Sequence, residues 1–179
     1  DHHQRPYFVA MASPFPMRDV RFRTFSEPDA SSPLCQARGL LTASVELPDP
    51  AAAPILAGCI HLQSYNGPAA GGSRERRAQL REAMAQMADD ASKRGASAAL
   101  LLGDMNWNFP SKGVQKTDGD MAEILTAAAG EGDGGEWVDV WTQLKPGEDG
   151  WTAGQDLNLA TQTQRLGKNL SWGSFLTKT

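Results

Sequence analysis

Gly103-Asp104-Met105-Asn106 closes one apolar run of the chain, and His61 falls near the close of another. A carboxylate and a carboxamide two residues apart on a turn can converge on one small ligand. The carboxylate can orient a water or help hold a divalent cation, and the amide can donate to an oxygen that gains charge. An imidazole beside them adds a donor or a base. Arg74, Arg76 and Arg77 follow, where a helix begins. Arginine there opposes the positive end of the helix dipole. An anion held between helix end and guanidinium would offset that, so Arg76 is a candidate phosphate contact. Trp107 and Trp151 fall in loop-like sequence, where an aromatic face can stack a base, whereas Trp141 reads as core. Each feature has a plainer meaning alone. Gly-Asp-x-Asn is turn chemistry, a histidine at a strand end is commonly a structural hydrogen-bonder, and an arginine cluster is commonly a solvated face.

The elements that must position these residues give them more weight. Pro54 to Leu62 is almost continuously apolar, as is Ala98 to Leu102, and both read as strands covered on two faces. Between them, Leu80, Met84, Met87 and Ala91 recur at helical spacing, which predicts a helix from about Arg74 to Arg94. Ser73 is the expected N-cap and Gly95 the expected C′ residue. Strand, helix, strand is a βαβ unit with parallel strands. His61, Asp104 and Asn106 then share the carboxyl edge, where open α/β sheets place ligands.

Ahead of this unit, Tyr7 to Ser13 reads as a short strand. Arg18 to Phe25 reads as a half-buried strand with Val20 and Phe22 on its inner side, and Gly39 to Leu47 alternates as a third. Beyond it come a short helix over Asp120 to Ala129, an apolar segment from Trp137 to Leu144, and loop-like sequence from Lys145 onward.

At 179 residues, with 40% hydrophobic and 21% charged side chains, the composition is that of one globular domain. Seventeen basic against twenty-one acidic residues give a net charge of −4. That excludes sequence-indifferent nucleic-acid binding through a broad basic field, but not a local grip on a few phosphates. Two cysteines, Cys35 and Cys59, make neither a disulfide framework nor a zinc spacing, which favours an intracellular setting, nuclear or cytoplasmic. No apolar stretch in the sequence is long enough to span a bilayer as a helix, so no membrane partner is expected.

Taken in order, these residues resemble the endonuclease/exonuclease/phosphatase superfamily, the DNase-like metal-dependent phosphodiesterases. That family joins a strand ending in His-Leu-x-Ser to an Arg-x-x-Gln-Leu helix and then to a strand ending in Gly-Asp-x-Asn. Here stand His61-Leu62-Gln63-Ser64, Arg76-Arg77-Ala78-Gln79-Leu80 and Gly103-Asp104-Met105-Asn106. Tyr7-Phe8-Val9-Ala10, Val138-Asp139-Val140-Trp141, and Trp151-Thr152 with Asn158 resemble its 5′-tyrosyl-DNA phosphodiesterase branch. Gly154 stands where that branch has an acidic residue.

The resemblance implies an α/β fold, a two-sheet sandwich with outer helices, of which residues 1–179 are the central part of one domain. It implies catalytic roles for His61, Asp104 and Asn106. Substrate contacts are implied for Arg76, Trp107, Trp151, Thr152 and Asn158. The implied cofactor is Mg²⁺, with Mn²⁺ as substitute, and Asp104 serves it indirectly. The family's main Glu ligand would precede Tyr7 and its Ser-Asp-His would follow Thr179, so the segment is expected to be the middle of a longer enzyme and inactive alone. The implied substrates are phosphodiesters at DNA ends, 5′-phosphotyrosyl adducts among them, in the setting of DNA repair. Two alternatives stay open: a phosphatase of small-molecule or lipid phosphoesters, and a scaffold that kept the fold without the chemistry.

Overall fold

The computed structural model describes residues 9–26, 38–63, 72–107, 118, 121–129, 135–148 and 176–178. Along the chain these form strands β1 (Met17–Thr24), β2 (Gly39–Val45) and β3 (Ile55–His61), helix α1 (Ser73–Arg94) and strand β4 (Ala98–Asp104). Helix α2 (Met121–Ala129), strand β5 (Trp137–Asp139), helix α3 (Val140–Leu144) and strand β6 (Leu176–Lys178) follow. The strands make one six-stranded sheet in the order β1-β2-β3-β4-β6-β5. All neighbours are antiparallel except β3 and β4, which run parallel in a register that pairs Ile55 with Ala98 and His61 with Asp104. The expected βαβ unit is therefore present, and it sets those two side chains opposite each other.

Alternate residues of the central strands form the core with the helices. Leu40, Leu56, Ile60, Ala99 and Leu101 join Leu80, Ala83, Met84 and Met87 of α1 and Met121, Ile124 and Leu125 of α2. Burying each large aliphatic side chain contributes about 1.5–3 kcal/mol, so this layer fixes the helices on the sheet. The fit is close at Gly58, where an added Cβ would stand 2.5 Å from the Met87 sulfur. A buried polar cluster ties the last turn of α1 to the strands. Asp90 accepts from Arg94 Nη2 at 2.9 Å, from Thr42 Oγ1 at 3.4 Å and from the Arg23 guanidinium.

Several local expectations are corrected. Residues 9–13 form no strand; Tyr7 and Phe8 lie outside the described residues. Val20 and Phe22 are 58% and 47% exposed; β1 is the edge strand of the described sheet, and neither side chain joins the core cluster. The N-cap position of α1 is Gly72, left-handed at φ 62°, and Ser73 is already helical. The apolar segment from Trp137 divides at Asp139, whose carboxylate accepts from the Trp141 N–H and caps α3. Trp137 is the core tryptophan of that segment, while Trp141 is exposed and donates its indole N–H to the Glu148 carbonyl. Within the stretch read as loop from Lys145 onward, β6 inserts between β4 and β5. Among the described residues no helix is long and apolar enough to cross a membrane.

Candidate active site

Gly103 explains how β4 delivers Asp104. Its φ is 128°, and an added Cβ would lie 1.9 Å from the Ile60 carbonyl oxygen, so only glycine permits this approach of β4 to β3. One residue later the Asp104 side chain stands beside His61, with Oδ2 3.6 Å from Nε2. That is longer than a direct hydrogen bond and leaves both groups able to reach a third atom. Both side chains are about 30% exposed, at 31% for His61 and 29% for Asp104, so the pair is open to solvent at the carboxyl edge.

Asn106 completes the turn in the left-handed region at φ 47°, a conformation asparagine tolerates better than most residues. Its N–H donates to Asp104 Oδ1 at 2.9 Å, and its side-chain Nδ2 donates to the Leu62 carbonyl at 3.0 Å. The Leu62 N–H in turn donates to the Asp104 carbonyl at 2.9 Å. The two strand ends are thus laced together beyond the ladder, and Asp104 keeps Oδ2, the oxygen facing His61, for other work.

Burial pushes the His61 imidazole below its ordinary pKa of 6.5. The Asp104 carboxylate opposes that shift and the Arg38 guanidinium reinforces it. A neutral imidazole offers one donor and one acceptor.

The structure brings His61, Asp104 and Asn106 together. Arg76 is placed differently from the phosphate contact expected of it. Its side chain is 1% exposed, and Nε and Nη2 clamp Asp118 at 2.9 and 2.8 Å. Nη1 donates to the Gln63 carbonyl at 3.0 Å, and Arg77 donates to the Asp118 carbonyl. A guanidinium so committed supports the segment after β3 from beneath. Trp107 is partly buried against the core cluster. Trp151, Thr152 and Asn158 lie outside the described residues.

Sequence reading assigned no role to Arg38, Gln79 or Asp118. Arg38 Nη1 donates to the carbonyls of His61 and Leu62 at 3.0 and 2.6 Å, and Gln79 Oε1 accepts from the Gln63 N–H at 2.9 Å. Gln79 carried a signal, an amide among the inward positions of an otherwise apolar helix face. Asp118 and Arg38 carried none, since their partners are distant in sequence.

The hard oxygens of Asp104 are the donor type that Mg²⁺ or Mn²⁺ prefers. Among the described residues, however, no three His, Cys, Asp or Glu side chains converge on one point. These residues alone do not make a cation site.

The parallel strand pair joined by a long helix, with histidine and aspartate opposed at its carboxyl end, belongs to a DNase-like fold. Among solved structures the chain is similar to sphingomyelinase C from Streptomyces griseocarneus, at 12% identity and a TM-score of 0.57, over 92% of this chain and 50% of that one. It is similar to truncated TDP2 from Caenorhabditis elegans, at 14% identity and 0.52, over 92% and 53%. A variant of beta toxin from Staphylococcus aureus with bound magnesium ions gives 16% identity and 0.53, over 92% and 50%. The chain spans about half the length of these structures. No family model matches the sequence, and no curated protein matches it.

Proposed function

We propose that the protein to which these residues belong hydrolyses phosphodiester bonds. The observation that carries the reading is the opposition of His61 and Asp104 across β3 and β4, with Asn106 strapped beside them. In this reading Asp104 Oδ2 aligns the attacking water and takes its proton as the new P–O bond forms. The P–O bond to the leaving group breaks on the opposite side. The neutral His61 ring donates to a phosphoryl oxygen, as does the second N–H of Asn106 Nδ2, and such donors typically contribute about 10²–10³ in rate each. A divalent cation, Mg²⁺ or Mn²⁺, offsets phosphate charge when bound; the magnesium ions in beta toxin support this.

The proposed substrates are DNA ends, 5′-phosphotyrosyl ends included, a reading supported by the likeness to TDP2. A lipid phosphoester is the second reading, favoured by the likeness to sphingomyelinase C. Full-length protein should be assayed with Mg²⁺ on a 5′-phosphotyrosyl oligonucleotide and on sphingomyelin vesicles, with and without EDTA. Cleavage of the first alone, lost with EDTA and on Asp104→Ala, supports the DNA-end reading. Cleavage of the second alone replaces it with the lipid reading. Turnover of neither, by folded protein, overturns the hydrolase.

A further inference from the structure

We propose that Arg38 is a positioning residue for this site: its buried guanidinium holds the His61 and Leu62 carbonyls and thereby sets where His61 and Asn106 stand relative to Asp104. The inference rests on the phosphodiesterase reading above for its kinetic consequence, but not for its geometry.

Arg38 enters from just ahead of β2, across the antiparallel β2–β3 pair, and only 6% of it is exposed. Burying a guanidinium is costly unless charge-assisted hydrogen bonds replace its water. Nη1 supplies them at the point where β3 leaves the ladder, reaching two successive carbonyl oxygens at 3.0 and 2.6 Å. The Leu62 oxygen also accepts from Asn106 Nδ2 at 3.0 Å, so both of its lone pairs are used. That single oxygen therefore joins the segment before β2, the end of β3 and the turn after β4. If the node moves, the peptide carrying His61 moves with it, and so does the amide of Asn106. The strand ladders hold the three segments side by side, but only this oxygen puts the Arg38 guanidinium and the Asn106 amide on one atom among the described residues.

Gln79 and Arg76 hold the next residue, Gln63, by its N–H and its carbonyl. The backbone from His61 to Gln63 is thus gripped from both sides, and the Arg38 side is the one that touches the His61 peptide itself. Misplacing a reacting group by about 1 Å can cost on the order of 10²-fold in rate. A residue with this lever acts on catalysis without meeting the substrate.

The test uses Arg38→Ala and Arg38→Lys in the full-length protein, with the folded fraction followed by circular dichroism. In ¹⁵N- and ¹³C-labelled protein the His61 ring and Asn106 side-chain amide resonances should shift in Arg38→Ala, while the amide of Leu56, at the far end of β3, keeps its wild-type position. With bis(p-nitrophenyl) phosphate and Mg²⁺, kcat should fall about 10–100-fold at an unchanged folded fraction, with KM altered by no more than about threefold. Arg38→Lys, whose ammonium can still reach these oxygens, should recover part of both signals. Unmoved His61 and Asn106 resonances in a folded variant overturn the proposal, as does a kcat loss that merely follows the unfolded fraction. Should Arg38→Ala fail to fold, the Lys variant decides by the same two readings. If wild-type protein turns over no phosphoester, the hydrolase reading fails, and the resonances alone still decide whether Arg38 positions the site.

Discussion

β3 and β4 run side by side for their whole length, yet their two ends are built differently. At the amino end the Ser97 N–H donates to the Pro54 carbonyl at 2.9 Å, and the Ser97 hydroxyl is shared between the carbonyls of Ala53 and Pro54 at 3.3 and 3.4 Å. Ser97 is exposed, so water can replace any bond lost there. At the carboxyl end, Arg38, Gln79, Arg76 and Asp118 are buried, and each holds backbone or another buried charge. A buried polar atom must find its partner inside the protein or destabilise it. The same strands thus have an end that tolerates change and an end that does not, and the candidate site sits on the second.

The sharpest way to break this contrast is to strand one of the buried charges. Arg76→Met leaves the Asp118 carboxylate buried without its bidentate partner and should cost about 3–5 kcal/mol in urea unfolding. A loss under about 1 kcal/mol would show that the clamp is dispensable and the two ends alike. Gly103→Ala comes next. With φ at 128° and the Ile60 oxygen in the way, strain and overlap together should cost about 2–4 kcal/mol and lower the thermal midpoint.

Smaller effects test the node at Leu62. Asn106→Ala should cost about 1–2 kcal/mol. Combined with Arg38→Ala in a double-mutant cycle, it should show a coupling above about 0.5 kcal/mol, because both donors share one oxygen. Strict additivity would argue against a shared node. The least effect is expected at the amino end, where Ser97→Ala should stay within about 0.5 kcal/mol of wild type by the same denaturation measurement.

The parts legible in the sequence are those with strong local pattern. The runs ending at His61 and Asp104 were apolar enough to read as buried strands, and the leucines and methionines of α1 gave its inner face. Together they placed His61 opposite Asp104, as the register shows. Gly95 also ends α1 as its type suggests, with its N–H on the carbonyls of Ala91 and Ser92. Illegible were the contacts whose partners are remote. Arg76 sits at a helix start and looks from sequence like an anion contact, until Asp118, forty-two positions on, takes its guanidinium. Val20 and Phe22 alternate as an inward face does, but alternation does not say whether a strand is central or at the edge. Leu176-Thr177-Lys178 is too short for any periodicity to mark it as β6.

That last strand has a consequence for the order of assembly. β6 pairs Leu101 with Leu176 on one side and Asp139 with Leu176 on the other, so among the described residues β5 reaches the sheet through it. During synthesis β1 to β4 and α1 can pair as soon as β4 is made, whereas β5 must wait for β6, whose own pairing with β4 joins residues seventy-five or more positions apart, as at Leu101 and Leu176. Pairing across that separation is slow relative to pairing between nearer segments. Trp137, buried at 3%, lies in the waiting strand, so its fluorescence should change in a late kinetic phase after most of the α1 helical signal has formed. Of the described elements, the ribosome delivers last the strand that joins β5 to β4.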